Sequence, residues 1–212
     1  MEDPAPMKLS EKTLELNICA QTSQFVGAKQ RLFWFGLTQK QEARAGFDAC
    51  AKLGGRLLVF QFKASNRVLK SGKRVFLAPH DQLDALRKQA KGSHRSVFYA
   101  FPLVGNTLEL KNTPDLVSQT WLVDAASLGT IGAPTKADKT LRKNGCHNVY
   151  VTAGSAEFHS EPVTTEANSL RQLLEHGFPG ADGIGWSFEE RFESFWEFAK
   201  HFSNGARGLI LW

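Results

Sequence analysis

Two apolar runs joined by a pair of glycines constrain the fold of this chain more than any other feature of its 212 residues. Gly46 to Leu53 and Arg56 to Ala64 flank Gly54-Gly55, the composition favoured for a two-residue hairpin turn with positive φ angles. In that register the numbers of paired residues sum to 109, which sets Asp48 opposite Gln61, with Cβ atoms roughly 5 Å apart. Strand side chains alternate with a period of two, so Lys63 follows Gln61 on the same face, and Gly46, opposite Lys63, leaves room there. Leu58, Phe60 and Phe62 take the other face. One side of the hairpin is therefore expected to be dry core and the other polar at its open end.

The flanking segments extend this hairpin into a layered protein. Ser10 is placed to cap a helix running to about Thr22, with Leu14 and Ile18 at i,i+4 spacing and Glu11 and Glu15 on a neighbouring stripe. Arg31 to Leu37 reads as a buried strand, His80 to Lys91 as a helix with Leu83 and Leu86 inward, and Ser96 to Val104 as a further strand. The expected order is helix, three strands, helix, strand, within an α/β class.

The GFD ending at Asp48 and the FQFK ending at Lys63 resemble the active-site core of the PD-(D/E)XK nuclease superfamily, in the variant whose (D/E)-x-K element opens on glutamine. Carried across, the metal-binding aspartate falls on Asp48, the second acidic position on Gln61 and the lysine on Lys63. Gln61 departs from the acidic pattern: it offers an amide oxygen and removes one negative charge, which argues against a second tightly held metal. The element order is similar to the αβββαβ core of the restriction-endonuclease-like fold. That resemblance implies a mixed sheet flanked by helices in a core over about residues 8–105, with C-terminal strand and helix additions over about 106–212, all in one nuclease-like domain.

The resemblance also implies a Mg²⁺ or Mn²⁺ ion held by Asp48, the Gln61 amide oxygen and the Phe62 carbonyl. Magnesium prefers oxygen ligands and keeps several waters, so so small a protein donor set suffices. Lys63 would orient the attacking water and stabilise the developing negative charge. The implied reaction is phosphodiester hydrolysis, with DNA as the expected substrate, and a role in prokaryotic defence comes with the resemblance. Members of the superfamily often add a glutamate from the first helix, for which Glu15 or Glu11 is the counterpart; Glu42, in the loop before Asp48, is the other candidate. The plainer alternative is that Asp48 caps a turn, Lys63 snorkels from an edge strand and the glutamates are solvated.

Charge distribution points the same way as the motif. The net charge is +5, and no acidic residue lies between Leu57 and His80. That interval holds Arg67, Lys70, Lys73 and Arg74 around Ser71-Gly72, which reads as a second hairpin ribbon able to grip nucleic-acid phosphates. A lysine-rich edge that blocks sheet-to-sheet association explains the same residues. A further basic group, Lys136, Lys139, Arg142 and Lys143, follows Pro134 and reads as solvated surface.

Beyond Gly105, Gln119 to Leu128 and Cys146 to Thr152 read as strands, and Glu166 to His176 and Phe188 to Phe202 as helices. The last of these carries a broad aromatic sector expected to close the core; a homodimer or partner-protein interface is its other reading. The glycines of 178–186 lack a preceding strand and a following lysine, so they read as a loop. No apolar run approaches the ~20 residues of a membrane span, and the N-terminus has acids and prolines where a signal peptide has a basic end. A cytoplasmic protein without membrane partners is expected. Three widely spaced cysteines suggest neither disulfides nor a zinc site, and neither an H-E-x-x-H pair nor a G-x-S-x-G elbow occurs. Two other classes stay open: a catalytically inactive nuclease-fold module that binds nucleic acid or a partner protein, and a structural subunit docking through the aromatic helix.

Overall fold

The computed structural model describes residues 5–27, 32–37, 47–53, 56–90, 96–133, 145–159, 162–176 and 210–211. The expected C-terminal aromatic helix, the loop of 178–186, Glu42 and the basic group of 136–143 lie outside them. The architecture is mixed α/β: two sheets, with helices against both faces of the larger one.

The strands on either side of Gly54 and Gly55 pair in the register expected from the sequence, while the two glycines lie outside the described residues. Strand β2 (Ala49–Leu53) runs antiparallel to β3 (Arg56–Phe62), pairing Leu53 with Arg56, Cys50 with Val59 and Ala49 with Phe60. Strand β1 (Leu32–Gly36) extends the meander on the far side of β2. After β3 the chain makes a short ribbon, β4 (Arg67–Val68) with β5 (Arg74–Pro79), in which Gly72 takes a φ of 82° at the turn. It then forms helix α2 (His80–Ala90) and returns as β6 (Val97–Pro102), which lies parallel to β3, with Gln61 beside Tyr99. Every residue of β6 is buried, as expected of a strand covered on both faces.

The larger sheet orders its strands β11-β7-β6-β3-β2-β1-β12, where β7 is Thr120–Asp124, β11 is Asn168–Ser169 and β12 is Ile210–Leu211. One face packs Leu58, Phe60, Phe62 and Phe98 under helix α1 (Glu11–Val26), which contributes Leu14 and Ile18. Ser10 caps α1 as expected, accepting the Thr13 N–H at 3.0 Å. The other face, carrying Leu57, Val59, Tyr99 and Phe101, packs on α2 and on a second sheet of order β10-β9-β8-β5-β4. In that sheet β8 is Cys146–Thr152, β9 is Ser155–His159 and β10 is Val163–Glu166. Among the described residues no helix is long and apolar enough to cross a membrane.

Three expectations are corrected. The strand expected from Gln119 to Leu128 ends at Asp124, whose side chain caps a single 3-10 turn over Ala125–Ser127. The helix expected from Glu166 begins only at Leu170, because Asn168 and Ser169 pair with β7 and Ser169 then forms a capping box with Gln172. Helix α1, expected to end near Thr22, runs on to Val26, where Gly27 at a φ of 68° ends it. The basic ribbon forms as expected, and its β5 continues into the second sheet, where it pairs along β8.

Candidate functional site

The site forms where the β2–β3 ladder stops. Pairing ends at Ala49 and Phe60, and the chain bends at Asp48, whose own N–H donates to the Phe60 carbonyl at 3.0 Å. The Asp48 carboxylate then takes the place of a ladder carbonyl: Oδ2 accepts the Phe62 N–H at 2.7 Å and the Gln61 Nε2 at 2.6 Å. Asp48 and Gln61 therefore meet across the strands, through their side chains.

Lys63 follows on the chain just past β3, where its N–H donates to the Ala100 carbonyl at 3.0 Å. Only 4% of it is exposed, and its Nζ lies 3.5 Å from Glu11 Oε1. The same Glu11 oxygen accepts the Ala64 N–H at 3.5 Å, so the first turn of α1 is tied to the end of β3. Of the α1 carboxylates considered from sequence, Glu11 is thus the one placed at the lysine. Glu15 is buried one turn further on and pairs with Lys12 at 2.7 Å.

Electrostatics single out Asp48. Burial pushes its carboxyl from the ordinary 3.8 up to about 7; Lys63 opposes that rise, Glu11 adds to it, and the hydrogen bonds from Phe62 and Gln61 oppose it. A carboxyl shifted to neutrality, beside a buried lysine, is the kind of group that functional sites collect.

Two residues that local sequence patterns did not reveal complete the surroundings. Gln82, in the first turn of α2, donates its Nε2 to Gln61 Oε1 at 2.8 Å. The start of α2 is itself fixed to the second sheet by a 3.0 Å contact between His80 Nδ1 and His147 Nε2. Tyr99, beside Gln61 in the parallel register, is wholly buried, and its hydroxyl has no hydrogen-bond partner among the described residues. Burial raises its pKa, and the nearby Asp48 and Glu11 carboxylates raise it further.

A divalent ion at Asp48 would meet one carboxylate, one backbone carbonyl and one side-chain amide. Among the described residues no three His, Cys, Asp or Glu side chains gather as a metal cluster, but Mg²⁺ needs only one or two carboxylates. Gln61 Nε2 sits between Asp48 Oδ2, at 2.6 Å, and the Phe62 carbonyl, at 3.1 Å. A polarised N–H₂ group thus lies between the two oxygens that a cation would use. Asp48, the Phe62 carbonyl and Gln61, with its amide turned over, are the residues that would hold the ion.

The basic ribbon divides. Arg67 and Lys70 are exposed on or beside β4. Lys73 pairs with Glu157 at 3.3 Å, and Arg74 pairs with Glu109 at 2.6 Å. Glu109 also accepts the Gly105 N–H at 2.7 Å. A Cβ at Gly105 would stand 2.9 Å from an Arg74 guanidinium nitrogen, so a larger residue there would make the guanidinium shift. Arg74 accordingly joins the ribbon to the rest of the fold and does not present its charge outward.

Comparison with protein-family models, with curated proteins and with solved structures finds no match to this chain.

Proposed function

We propose that the chain is a metal-dependent nuclease of PD-(D/E)XK type, hydrolysing phosphodiester bonds, with DNA as the substrate and prokaryotic defence as the setting the resemblance implies. The observation that carries this reading is the contact of Asp48 with Gln61 and the Phe62 N–H at the end of the β2–β3 hairpin, with the buried Lys63 next along the chain. The topology supports it: α1, the antiparallel meander β1–β2–β3, a crossover through the β4–β5 ribbon and α2, and β6 parallel to β3. With the β4–β5 ribbon as an insertion, that order is similar to the αβββαβ core of the restriction-endonuclease-like fold.

A bound Mg²⁺ or Mn²⁺ would polarise the scissile phosphate and lower the pKa of a water. The remaining work falls to the chain. Asp48 supplies the one carboxylate at the centre of the site. Lys63 places a positive charge at the strand end, where it orients the attacking water and offsets charge developing on the phosphate. Glu11, already 3.5 Å from the lysine, holds that ammonium in place and is the nearer α1 carboxylate to the site. Arg67 and Lys70, exposed on the adjoining ribbon, are the groups that would meet phosphates.

A second reading, a catalytically inactive nuclease-fold module binding nucleic acid or a partner protein, is favoured by the direction of the Gln61 amide, whose nitrogen faces Asp48. Incubating the purified protein with plasmid, single-stranded DNA and RNA, with and without Mg²⁺ or Mn²⁺, separates the two. Metal-dependent cleavage supports the nuclease; nucleic-acid binding without cleavage in either metal supports the module.

A further inference from the structure

A pair of histidines ties the start of α2 to the second sheet. His147, on β8, is wholly buried, and His80, the first residue of α2, is partly buried beside it. His80 Nδ1 lies 3.0 Å from His147 Nε2. The His80 N–H adds a bond to the Gly145 carbonyl at 2.9 Å, just ahead of β8. Both bonds hold one helical turn against one strand end.

On its other side His147 is bonded to the backbone of His159, on β9, in a way that favours the protonated ring, so His147 is the donor there. The bond made by one ring nitrogen sets the state of the other. Nε2 of the neutral His147 ring is therefore an acceptor, and His80 supplies the hydrogen from Nδ1. One added proton fits the pair, because His80 can carry it on Nε2 and keep donating. A second does not fit. Both nitrogens of the contact would then bear hydrogens, 3.0 Å apart, with one of the two charges wholly buried.

The charged neighbours are otherwise engaged. On α2, Asp84 interacts with His80 but pairs with Lys88 at 2.7 Å and lies 3.8 Å from Arg87, and Asp81 is exposed. On β9, the His159 ring is turned to Glu157, at 2.7 Å, and to Tyr150, so it is the His159 backbone that meets His147. Cys146 and Asn148 flank His147 on β8, and strand alternation sends both to the other face. Across the ladder His147 stands opposite Ala78 of β5. Burial first, and then His80, hold the His147 pKa below the ordinary histidine value, against the bond to His159.

We infer that the His80–His147 pair is an acid-released clasp, in which double protonation parts the start of α2 from β8. A histidine whose folded-state pKa is lowered contributes stability that is full above the ordinary value of about 6.5 and is lost as pH falls. The clasp is closed at neutral pH and opens toward acid. Gln82, in the same helical turn, is bonded to Gln61, so the opening begins beside the Asp48 site. The inference stands on the fold and not on the nuclease reading.

Native-state hydrogen exchange of the full chain tests it. Corrected for intrinsic rate, protection of the His80 amide should fall about tenfold per pH unit from about pH 6 to pH 5. Amides of β6, which report unfolding of the whole chain, should not share that slope, because global unfolding also frees Asp48, whose linkage runs the other way. His80→Asn should flatten the slope to about threefold or less, since an amide can donate to the neutral His147 ring or turn to accept from the charged one. His80→Ala should lower protection of the same amide about three- to tenfold already at about pH 7.5, the worth of one neutral hydrogen bond. Asp84→Asn should leave the slope as it is. A flat profile in wild type, an equally steep one in His80→Asn, or one abolished by Asp84→Asn overturns the clasp.

Discussion

Replacing Asp48 by asparagine should make the metal-free protein gain stability relative to wild type as pH rises. The folded-state pKa of Asp48 is about 7 against an ordinary 3.8, so the folded protein retains a proton that the unfolded chain has lost. Stability from this group is therefore highest below about pH 4, falls as pH rises, and levels off above about pH 7. Each pH unit in that window costs about 1.4 kcal/mol. Asparagine keeps the shape, can still accept the Phe62 N–H through its oxygen, and does not titrate. Its exchanged contacts with Gln61 add an offset that is the same at every pH. The difference in unfolding free energy between variant and wild type should therefore move in favour of asparagine by roughly 2–3 kcal/mol between about pH 5 and pH 8. In a chain of this size that is a shift of roughly 5–10 °C in the difference between melting temperatures. Urea titrations at both pH values, without divalent metal, measure it. A difference independent of pH, or one that moves in favour of wild type as pH rises, would refute the claim that burial dominates this carboxyl.

The other predictions separate roles within the site and its rim. Lys63→Ala should keep Mn²⁺ binding and lose roughly 10²–10³-fold in cleavage rate; loss of Mn²⁺ binding instead would make the lysine structural. Mn²⁺ affinity should fall about tenfold per pH unit below pH 7, because the proton and the cation compete for Asp48, and a flat calorimetric profile from about pH 5 to 7 would remove Asp48 as a ligand. Arg67→Ala with Lys70→Ala should flatten the slope of log K against log salt for duplex DNA by about 0.9 per lost contact, with folding unchanged because both charges are exposed. Arg74→Ala should instead lower stability by roughly 1.5–3 kcal/mol, since it breaks a charged hydrogen bond to Glu109; thermal denaturation distinguishes the two classes of basic residue.

The hairpin register and the meeting of Asp48 with Gln61 were legible because a two-residue Gly-Gly connection is expected to fix register, and register fixes which side chains share a face. Helix α1 was legible through Ser10 as its cap, and β8 through an apolar run that stops at Gly154 with its φ of 91°. What stayed hidden depends on contacts between segments distant in sequence. No local pattern says that Tyr99 lies beside Gln61, because a parallel pairing across a crossover leaves its register open. Nothing in the sequence marked Gln82, and its contact with Gln61 depends on where α2 is anchored through His80 and His147. The second sheet was missed because β9 and β10 are short, with Glu157, Thr164 and Glu166 among their residues, and become strands only when paired with β8. The choice between Glu11 and Glu15 turned on where the first turn of α1 meets the end of β3.

The most direct test of the central claim is cleavage of plasmid and linear DNA by wild type and Asp48→Ala, each with Mn²⁺, with Mg²⁺ and with a chelator. The account predicts cleavage by wild type in a divalent metal, none in chelator, and none by Asp48→Ala under any condition while its circular dichroism spectrum remains native. Wild type that leaves DNA intact in both metals, or Asp48→Ala that cuts as fast as wild type, would contradict it.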